Sequence, residues 1–128
     1  MQTPTRDDVR GTRILGDDAF AQFHYAMNLW KGRSSPPDEA GMQRVEALLR
    51  QAVTLDRNLA KGFLELGILL SDQKRYMEAI TELQRATQLE PDLAQAHYRL
   101  AQAYQRTGQK ELADQELEIF ERLKGGAR

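Results

Sequence analysis

The stretch that decides the fold covers residues 60–93 and reads AKGFLELGILLSDQKRYMEAITELQRATQLEPDL. When the chain is shifted against itself by 34 residues, small and apolar side chains of this stretch fall on small and apolar side chains of the next one. The charged and amide side chains match much less well. A repeat that keeps only its packing positions indicates a shared packing scheme. The matched pairs are Leu59 with Leu93, Ala60 with Ala94, Leu66 with Leu100, Gly67 with Ala101, Leu70 with Tyr104, Ala79 with Ala113, and Leu83 with Leu117.

Each period of 34 residues contains two segments with helical periodicity. Apolar residues recur every three to four positions over 59–70 and again over 76–89, with a break at Ser71–Lys74 between them. Asn58 and Asp92 precede the first helix of their units and are predicted to cap it. Two antiparallel helices cannot bury both apolar stripes by themselves, so the units are expected to stack on their neighbours.

The first unit is irregular. Its first helix is predicted to begin at Asp17 or Asp18, which can act as its N-cap, and to end near Lys31. Its second helix is predicted from about Pro37 to Leu55. The intervening residues 32–41, GRSSPPDEAG, form a connection about six residues longer than the later turns. This insertion is either a relaxed end of the array or a functional lip over a binding groove.

The pattern divides the chain into a central domain and two flanking segments. Residues 1–16 show no period and are predicted to form a flexible N-terminal arm, or a remnant of an adjoining segment. The repeat domain is predicted over 17–124, with units at about 17–57, 58–91 and 92–124. Residues 125–128 would then form a C-terminal tail.

Composition excludes several classes of protein. The chain has 128 residues, with 18 Lys and Arg against 19 Asp and Glu, which fits one domain without a global attraction to nucleic acid or anionic membranes. It lacks cysteine, which excludes disulfides, thiolate metal sites and a cysteine nucleophile. No apolar run approaches the roughly 20 residues of a membrane span, and the N-terminus lacks the apolar region of a signal peptide. A cytoplasmic location is expected, or a periplasmic or other one if a signal has been removed.

Catalytic and cofactor-binding patterns are missing from the sequence. It has two histidines, His24 and His97, and no metal-ligand spacing, glycine-rich phosphate loop or nucleophile elbow. His97 falls on a packing position and is expected to contact a neighbouring helix. The acidic residues of the last helix are interpreted as a solvated face: Glu111, Asp114, Glu116, Glu118 and Glu121. We therefore expect a protein that is not an enzyme and binds no metal or cofactor.

These spacings resemble the tetratricopeptide repeat, whose pattern reads W-x2-L-G-x2-Y, then A-x3-F, then P. In the middle unit its positions hold Phe63, Leu66, Gly67, Leu70, Ala79, Leu83, Ala86 and Pro91; in the last they hold His97, Leu100, Ala101, Tyr104, Ala113, Leu117 and Phe120. The resemblance implies an all-α, right-handed α-solenoid of about three helix-turn-helix repeats with six main helices. Phe120 stands where the family prefers alanine, which suggests different packing at the end of the array.

The resemblance also implies a concave groove, lined by the first helix of each unit, that binds a peptide or a protein segment. An alternative remains open for Leu64, Ile68 and Tyr98, which could instead pack between neighbouring helices. One family subset grips the C-terminal carboxylate of heat-shock chaperones, but Glu65 would place a negative charge where that carboxylate binds. The residues implied for the groove are His24, Asn28, Lys31, Lys61, Leu64, Ile68, Gln95, Tyr98, Arg99, Gln102 and Gln105.

The last helix carries a second apolar stripe that faces away from its own partner helix. Leu112, Ile119 and Leu123 form this stripe, which Glu116 interrupts. We predict that it forms a self-association edge, with a two-fold homodimer as the favoured arrangement. The alternatives are an exposed patch that the protein tolerates, or an edge covered by further repeats of a longer chain. A third possibility is that the whole chain serves as an accessory domain of a multidomain protein.

Overall fold

The computed structural model of the protein describes residues 18–125. The predicted arm at 1–16 and the tail residues 126–128 lie outside this range. Six α-helices occupy 79% of the described residues, which contain no strand. The predicted helix number and all-α class are therefore confirmed. The helices are α1 (Ala19–Lys31), α2 (Glu39–Leu55), α3 (Ala60–Asp72), α4 (Tyr76–Leu89), α5 (Ala94–Arg106) and α6 (Lys110–Lys124).

Two compact units divide the chain between Arg57 and Asn58. In the first unit, α1 packs against α2, and Val45, Leu49 and Ala52 of α2 are completely buried. In the second unit, α3 pairs with α4, α5 pairs with α6, and α5 also packs against α4 and α3. Each helix of the second unit therefore contacts its neighbours in the order that the repeat pattern predicts.

Aspartate side chains cap both helices of the first unit. Asp18 Oδ1 accepts a hydrogen bond from the backbone N–H of Phe20 at 3.0 Å, so one of the two expected caps of α1 is present; Asp17 lies outside the described residues. Asp38 Oδ1 accepts from the N–H of Gly41 at 2.8 Å. Because Asp38 takes this position, α2 begins at Glu39, and the start predicted at Pro37 is wrong by two residues.

The N-caps predicted for the second unit are wrong. The residues that precede α3 and α5 are Leu59 and Leu93, and neither forms a side-chain cap hydrogen bond. Backbone groups close the first turn of α3 instead, since the N–H of Gly62 donates to the carbonyl of Leu59 at 3.0 Å. Asn58 and Asp92 stand one residue before these N-cap positions and lie in the turns that lead into the two helices.

The core of the second unit is built from the positions that the 34-residue shift matches. Leu66 and Leu83 are completely buried, and Leu100 is 1% exposed. Gly67 is buried beside Leu83, where a Cβ atom built on the glycine would lie 2.5 Å from Leu83 Cγ. Helices α3 and α4 therefore approach each other too closely for a side chain at position 67.

The turns that end α3 and α5 have the same backbone geometry. Lys74 has a φ of 64° and Gly108, which lies 34 residues later, has a φ of 78°. Arg75, which follows Lys74, donates its backbone N–H to the carbonyl of Leu70 at 2.9 Å. Gln109, which follows Gly108, donates its backbone N–H to the carbonyl of Tyr104 at 2.8 Å. These are the hydrogen bonds of a helix C-terminus closed by a left-handed residue.

This shared geometry predicts opposite effects of substitution at the two positions. Gly108→Ala should lower the free energy of unfolding by about 1 kcal/mol, because an L-residue with a Cβ is disfavoured in the left-handed region. No atom lies within 4 Å of a Cβ built at Gly108, so this cost is purely conformational. Lys74→Gly should raise the free energy of unfolding by about 0.5 kcal/mol. Glycine relieves the strain of the left-handed backbone, and this gain exceeds the cost of the greater entropy that glycine gives to the unfolded chain. Urea unfolding followed by circular dichroism tests both, and equal signs would contradict the shared geometry.

None of the helices in the part of the chain that the structure describes has the length and apolar character needed to span a bilayer.

Candidate binding surface

One face of α5 presents a row of polar and aromatic side chains, while the opposite face is buried. Ala96, Leu100 and Ala103 are each at most 1% exposed and pack inward. The outward row has the spacing of one helix face, and Arg99 beside it is half-buried. The exposed members of this row are Gln95, Tyr98, Gln102 and Gln105. The structure therefore brings together on one surface all five α5 residues that the resemblance implied.

Tyr98 is partly packed and partly open. Its side chain is 39% exposed, and its ring centroid lies 5.0 Å from that of Phe120 on α6. Gln102 Nε2 donates a long hydrogen bond of 3.4 Å to the Tyr98 hydroxyl. Phe120 therefore supports one side of the tyrosine ring and leaves its other atoms accessible. This contact also accounts for a large aromatic ring at a position where the family prefers alanine.

Two of the groove residues implied on α3 are not accessible. Leu64 and Ile68 are each 3% exposed, so the packing alternative describes them and neither can contact a ligand in this structure. Lys61, one turn earlier on the same helix, is exposed, and Glu65 is half-buried. In the first two turns of α3, the accessible side chains of this face are thus the cation Lys61 and the half-buried carboxylate of Glu65.

The three residues implied on α1 are all exposed. The ring centroid of His24 lies 4.1 Å from that of Phe20 and 5.2 Å from that of Phe23, in edge-to-face geometry. Lys31 Nζ lies 4.6 Å from the centroid of the Trp30 ring. Asn28 is also exposed. The first unit therefore presents an aromatic surface at His24 and a cation at Lys31.

His97 is a buried polar residue of the second unit. Its side chain contacts helix α6 and the turn before α5, with Nδ1 2.6 Å from Glu116 Oε1 and Nε2 2.7 Å from the carbonyl oxygen of Pro91. A carbonyl oxygen only accepts hydrogen bonds, so Nε2 is the nitrogen that donates to Pro91, and Nδ1 is the nitrogen that faces Glu116. The interpretation of Glu116 as part of a solvated face is therefore wrong, because its carboxylate is 19% exposed and bonded to His97.

A cleft of about 770 Å³ lies beside this histidine, between the turn that precedes α5 and the C-terminal half of α6. Two residues of the predicted self-association edge, Ile119 and Leu123, line it, whereas the third, Leu112, lies outside it and is 40% exposed. No sequence pattern marks a cleft here, because its two walls come from positions 22 or more residues apart. The other lining residues are Pro91, Asp92, His97, Glu121, Arg122 and Gly125.

No three His, Asp or Glu side chains within residues 18–125 come close enough together to hold a metal ion.

Comparison with known proteins agrees with this architecture. Residues 69–108 match the family model described as a TPR repeat, and no curated protein sequence matches the chain. The crystal structure of MamA is similar with a TM-score of 0.75 and 17% identity, over 86% of this chain and 60% of MamA. The chain therefore spans less than two-thirds of the length of MamA.

Two solved structures with bound peptides are also similar. The second TPR of Spaghetti (RPAP3), bound to the HSP90 peptide SRMEEVD, has a TM-score of 0.73 and 18% identity, over 84% of this chain and 94% of that one. The Yersinia enterocolitica type III secretion chaperone SycD, in complex with a peptide of the translocator YopD, has a TM-score of 0.69 and 16% identity, over 80% and 72%. The resemblance inferred from the sequence is thus confirmed: the chain has the fold of tetratricopeptide-repeat proteins, and the TPR-repeat family model matches residues 69–108.

Proposed function

We propose that this protein is a non-enzymatic interaction module that binds an extended peptide or protein segment along the outward face of α5. The observation that carries the proposal is the row of Gln95, Tyr98, Gln102 and Gln105, which is open to solvent on a helix whose other face is buried. A row of this kind is fixed in position by the core behind it. It can therefore be presented to a ligand with little loss of backbone entropy.

The chemistry of this row suits an extended main chain. Each glutamine amide both donates and accepts hydrogen bonds, and so does each peptide unit of a bound segment. Tyr98 offers an aromatic surface for an apolar side chain, already held by Phe120 at a centroid distance of 5.0 Å. Large aromatic contacts of this kind dominate the affinity of many interfaces.

The charges near the row favour an internal segment over a free C-terminus. Lys61 and Arg99 are cations, but Glu65 lies one turn after Lys61 on α3. A negative side chain opposes the binding of a terminal carboxylate. Support for a peptide ligand in general comes from two structural neighbours, of which one is bound to an HSP90 peptide and the other to a YopD peptide.

The first unit has its own candidate contacts. His24, Asn28 and Lys31 are exposed on α1, and we propose that they form a ligand contact of the first unit by itself. A second function, as an accessory domain of a longer protein, is compatible with the same contacts, because a TPR module would then recruit its ligand on behalf of another domain.

Selection of peptides from a displayed random library, followed by calorimetry with the tightest binder, tests the proposed surface. Tyr98→Ala should weaken that peptide about tenfold or more, because it removes the aromatic contact. Gln102→Ala should weaken it about two- to tenfold through the loss of one hydrogen bond. Lys61→Ala should slow association, most strongly at low salt. Thermal melts of each variant establish that the fold is kept.

Gln88→Ala provides the matched control. Gln88 is also an exposed glutamine of the second unit, but it lies on α4, away from the proposed surface. It should leave the peptide affinity unchanged. If all three α5 and α3 variants bind the selected peptide as well as the Gln88→Ala variant does, the proposed surface is wrong.

A further inference from the structure

The edge of α6 is more apolar than the corresponding edge of α4. Leu112 and Ile119 stand 34 residues after Glu78 and Arg85, so two charged positions of the middle repeat are aliphatic in the last one. Leu112 is 40% exposed, and Ile119 lines the cleft beside His97. If this edge of α6 only faced water, we would expect polar side chains at these positions, as at the matching positions of α4.

These side chains form a narrow stripe. Leu112, Glu116, Ile119 and Leu123 follow one another at intervals of four, three and four residues, the spacing of the seam between two paired helices. Glu116 is the one polar member, and its carboxylate is turned to His97 at 2.6 Å. The seam therefore presents three aliphatic side chains and a carboxylate that already has a hydrogen-bond partner.

The charges beside the stripe divide into two groups. Lys110 pairs with Asp114 at 3.0 Å, and Lys124 pairs with Glu121 at 3.6 Å, both within α6. Glu111, Glu118 and Arg122 have no ion-pair partner among the residues that the structure describes. Arg122 flanks the stripe on the same side as Gln115, and Glu111 and Glu118 lie about one turn to either side of Gln115.

We propose that a second copy of this chain docks on this edge, with the two α6 helices antiparallel about a two-fold axis. Leu112 of one copy then faces Leu123 of the other, and Ile119 faces Glu116. The same register brings Arg122 of one copy to Gln115 of the other, between Glu111 and Glu118. The two-fold axis repeats each of these contacts, so one surface is complementary to itself.

The charges discriminate against the parallel arrangement. A parallel pair would place Glu116 against Glu116, and like charges facing each other are destabilising. It would also carry Arg122 of one copy to the opposite flank from Glu111 and Glu118 of the other. The antiparallel pair gives Glu116 an aliphatic partner and brings Arg122 to the flank that holds both acids. Charge complementarity therefore selects both the occupant, a copy of α6, and its direction.

Sedimentation velocity of the full chain over a range of micromolar concentrations tests the docking. The wild type should show a monomer–dimer equilibrium. Leu112→Glu should weaken the dimer about tenfold or more, because it places a charge against Leu123 of the other copy. Since Leu112 is 40% exposed, this change should leave the monomer folded, as a thermal melt can establish.

Met77→Glu is the matched control, because Met77 is an apolar side chain of α4 that is 65% exposed and lies away from the α6 edge. It should leave the dimer unchanged. A wild type that stays monomeric throughout, or a dimer equally strong in the Leu112→Glu and Met77→Glu variants, would overturn the proposal. In the first case the edge is covered by something other than a second copy.

A charge exchange tests the direction of the helices. Arg122→Glu alone places acids against Glu111 and Glu118 at both symmetry-related sites, and the double variant Glu111→Arg, Glu118→Arg places bases against Arg122 at both. Each protein alone should dimerise at least tenfold more weakly than the wild type. When the two are mixed, every contact becomes complementary, so heterodimers should form with near-wild-type strength. A mixture that associates no better than its components would overturn the antiparallel register.

Discussion

Replacing Gly67 by leucine should lower the free energy of unfolding of the second unit by about 3 kcal/mol or more. A Cβ at this position would lie 2.5 Å from Leu83 Cγ and 2.6 Å from Leu83 Cδ2, and Leu83 is completely buried. The leucine adds three further carbon atoms at a point where α3 and α4 have no space between them. Urea unfolding monitored by circular dichroism at 222 nm measures the effect.

A smaller change at the same position separates steric from conformational effects. Gly67→Ala should gain roughly 1 kcal/mol of helix propensity, so any net loss of stability reports the clash with Leu83. Combining Gly67→Ala with Leu83→Ala should then cost less than the sum of the two single changes, because the shortened side chain leaves room for the new methyl group. Strict additivity would mean that the two residues do not approach each other as the structure shows.

The 34-residue period predicts the core of this protein well, because it records contacts within a helix pair. Gly67, Leu83 and Leu100 are matched by the shift, and all three are buried. Such positions tolerate few side chains, since a protein interior is densely packed. The number of helices and the N-cap of α1 at Asp18 follow from equally local signals, namely apolar spacing and a capping side chain.

Features that depend on more distant contacts were predicted poorly. Leu64 and Ile68 have the spacing of a surface row, but they are buried. Apolar periodicity identifies the helix face that packs against the partner helix of the same repeat. It does not show whether other helices cover the remaining faces. The hydrogen bond between His97 and Glu116 joins residues 19 positions apart, and nothing in either local sequence marks it. The caps expected at Asn58 and Asp92 are wrong because Leu59 and Leu93 hold the N-cap positions of α3 and α5.

The candidate binding surface was predictable only in part. The five residues on α5 follow from the helix register and the family resemblance, and the structure places them on one face. Their ligand depends on chemistry outside this chain, so no pattern within it identifies the partner. The contact between Tyr98 and Phe120 was not predicted, although the aromatic residue at an alanine position indicated unusual packing there.

The second large effect is expected from the loss of the Glu116 carboxylate. Glu116→Ala leaves Nδ1 of His97 without its partner in a residue that is 6% exposed. A lost hydrogen bond to a charged group typically costs about 1.5–3 kcal/mol. We therefore expect the free energy of unfolding to fall by about 2 kcal/mol or more, measured by urea unfolding at protein concentrations where the wild type is monomeric.

Two further variants show whether the hydrogen bond is the cause. Glu116→Gln should restore most of the lost stability, because the amide can either accept from or donate to Nδ1. His97→Phe combined with Glu116→Ala should also be more stable than Glu116→Ala alone, because Phe63 occupies the matching position of the middle repeat and a phenyl ring leaves no nitrogen unsatisfied. The Pro91 carbonyl would still lose its partner, so this rescue should be incomplete. If Glu116→Ala and Glu116→Gln are equally stable, the carboxylate contributes no hydrogen bond to the fold, and His97 is held by packing and by Pro91 alone.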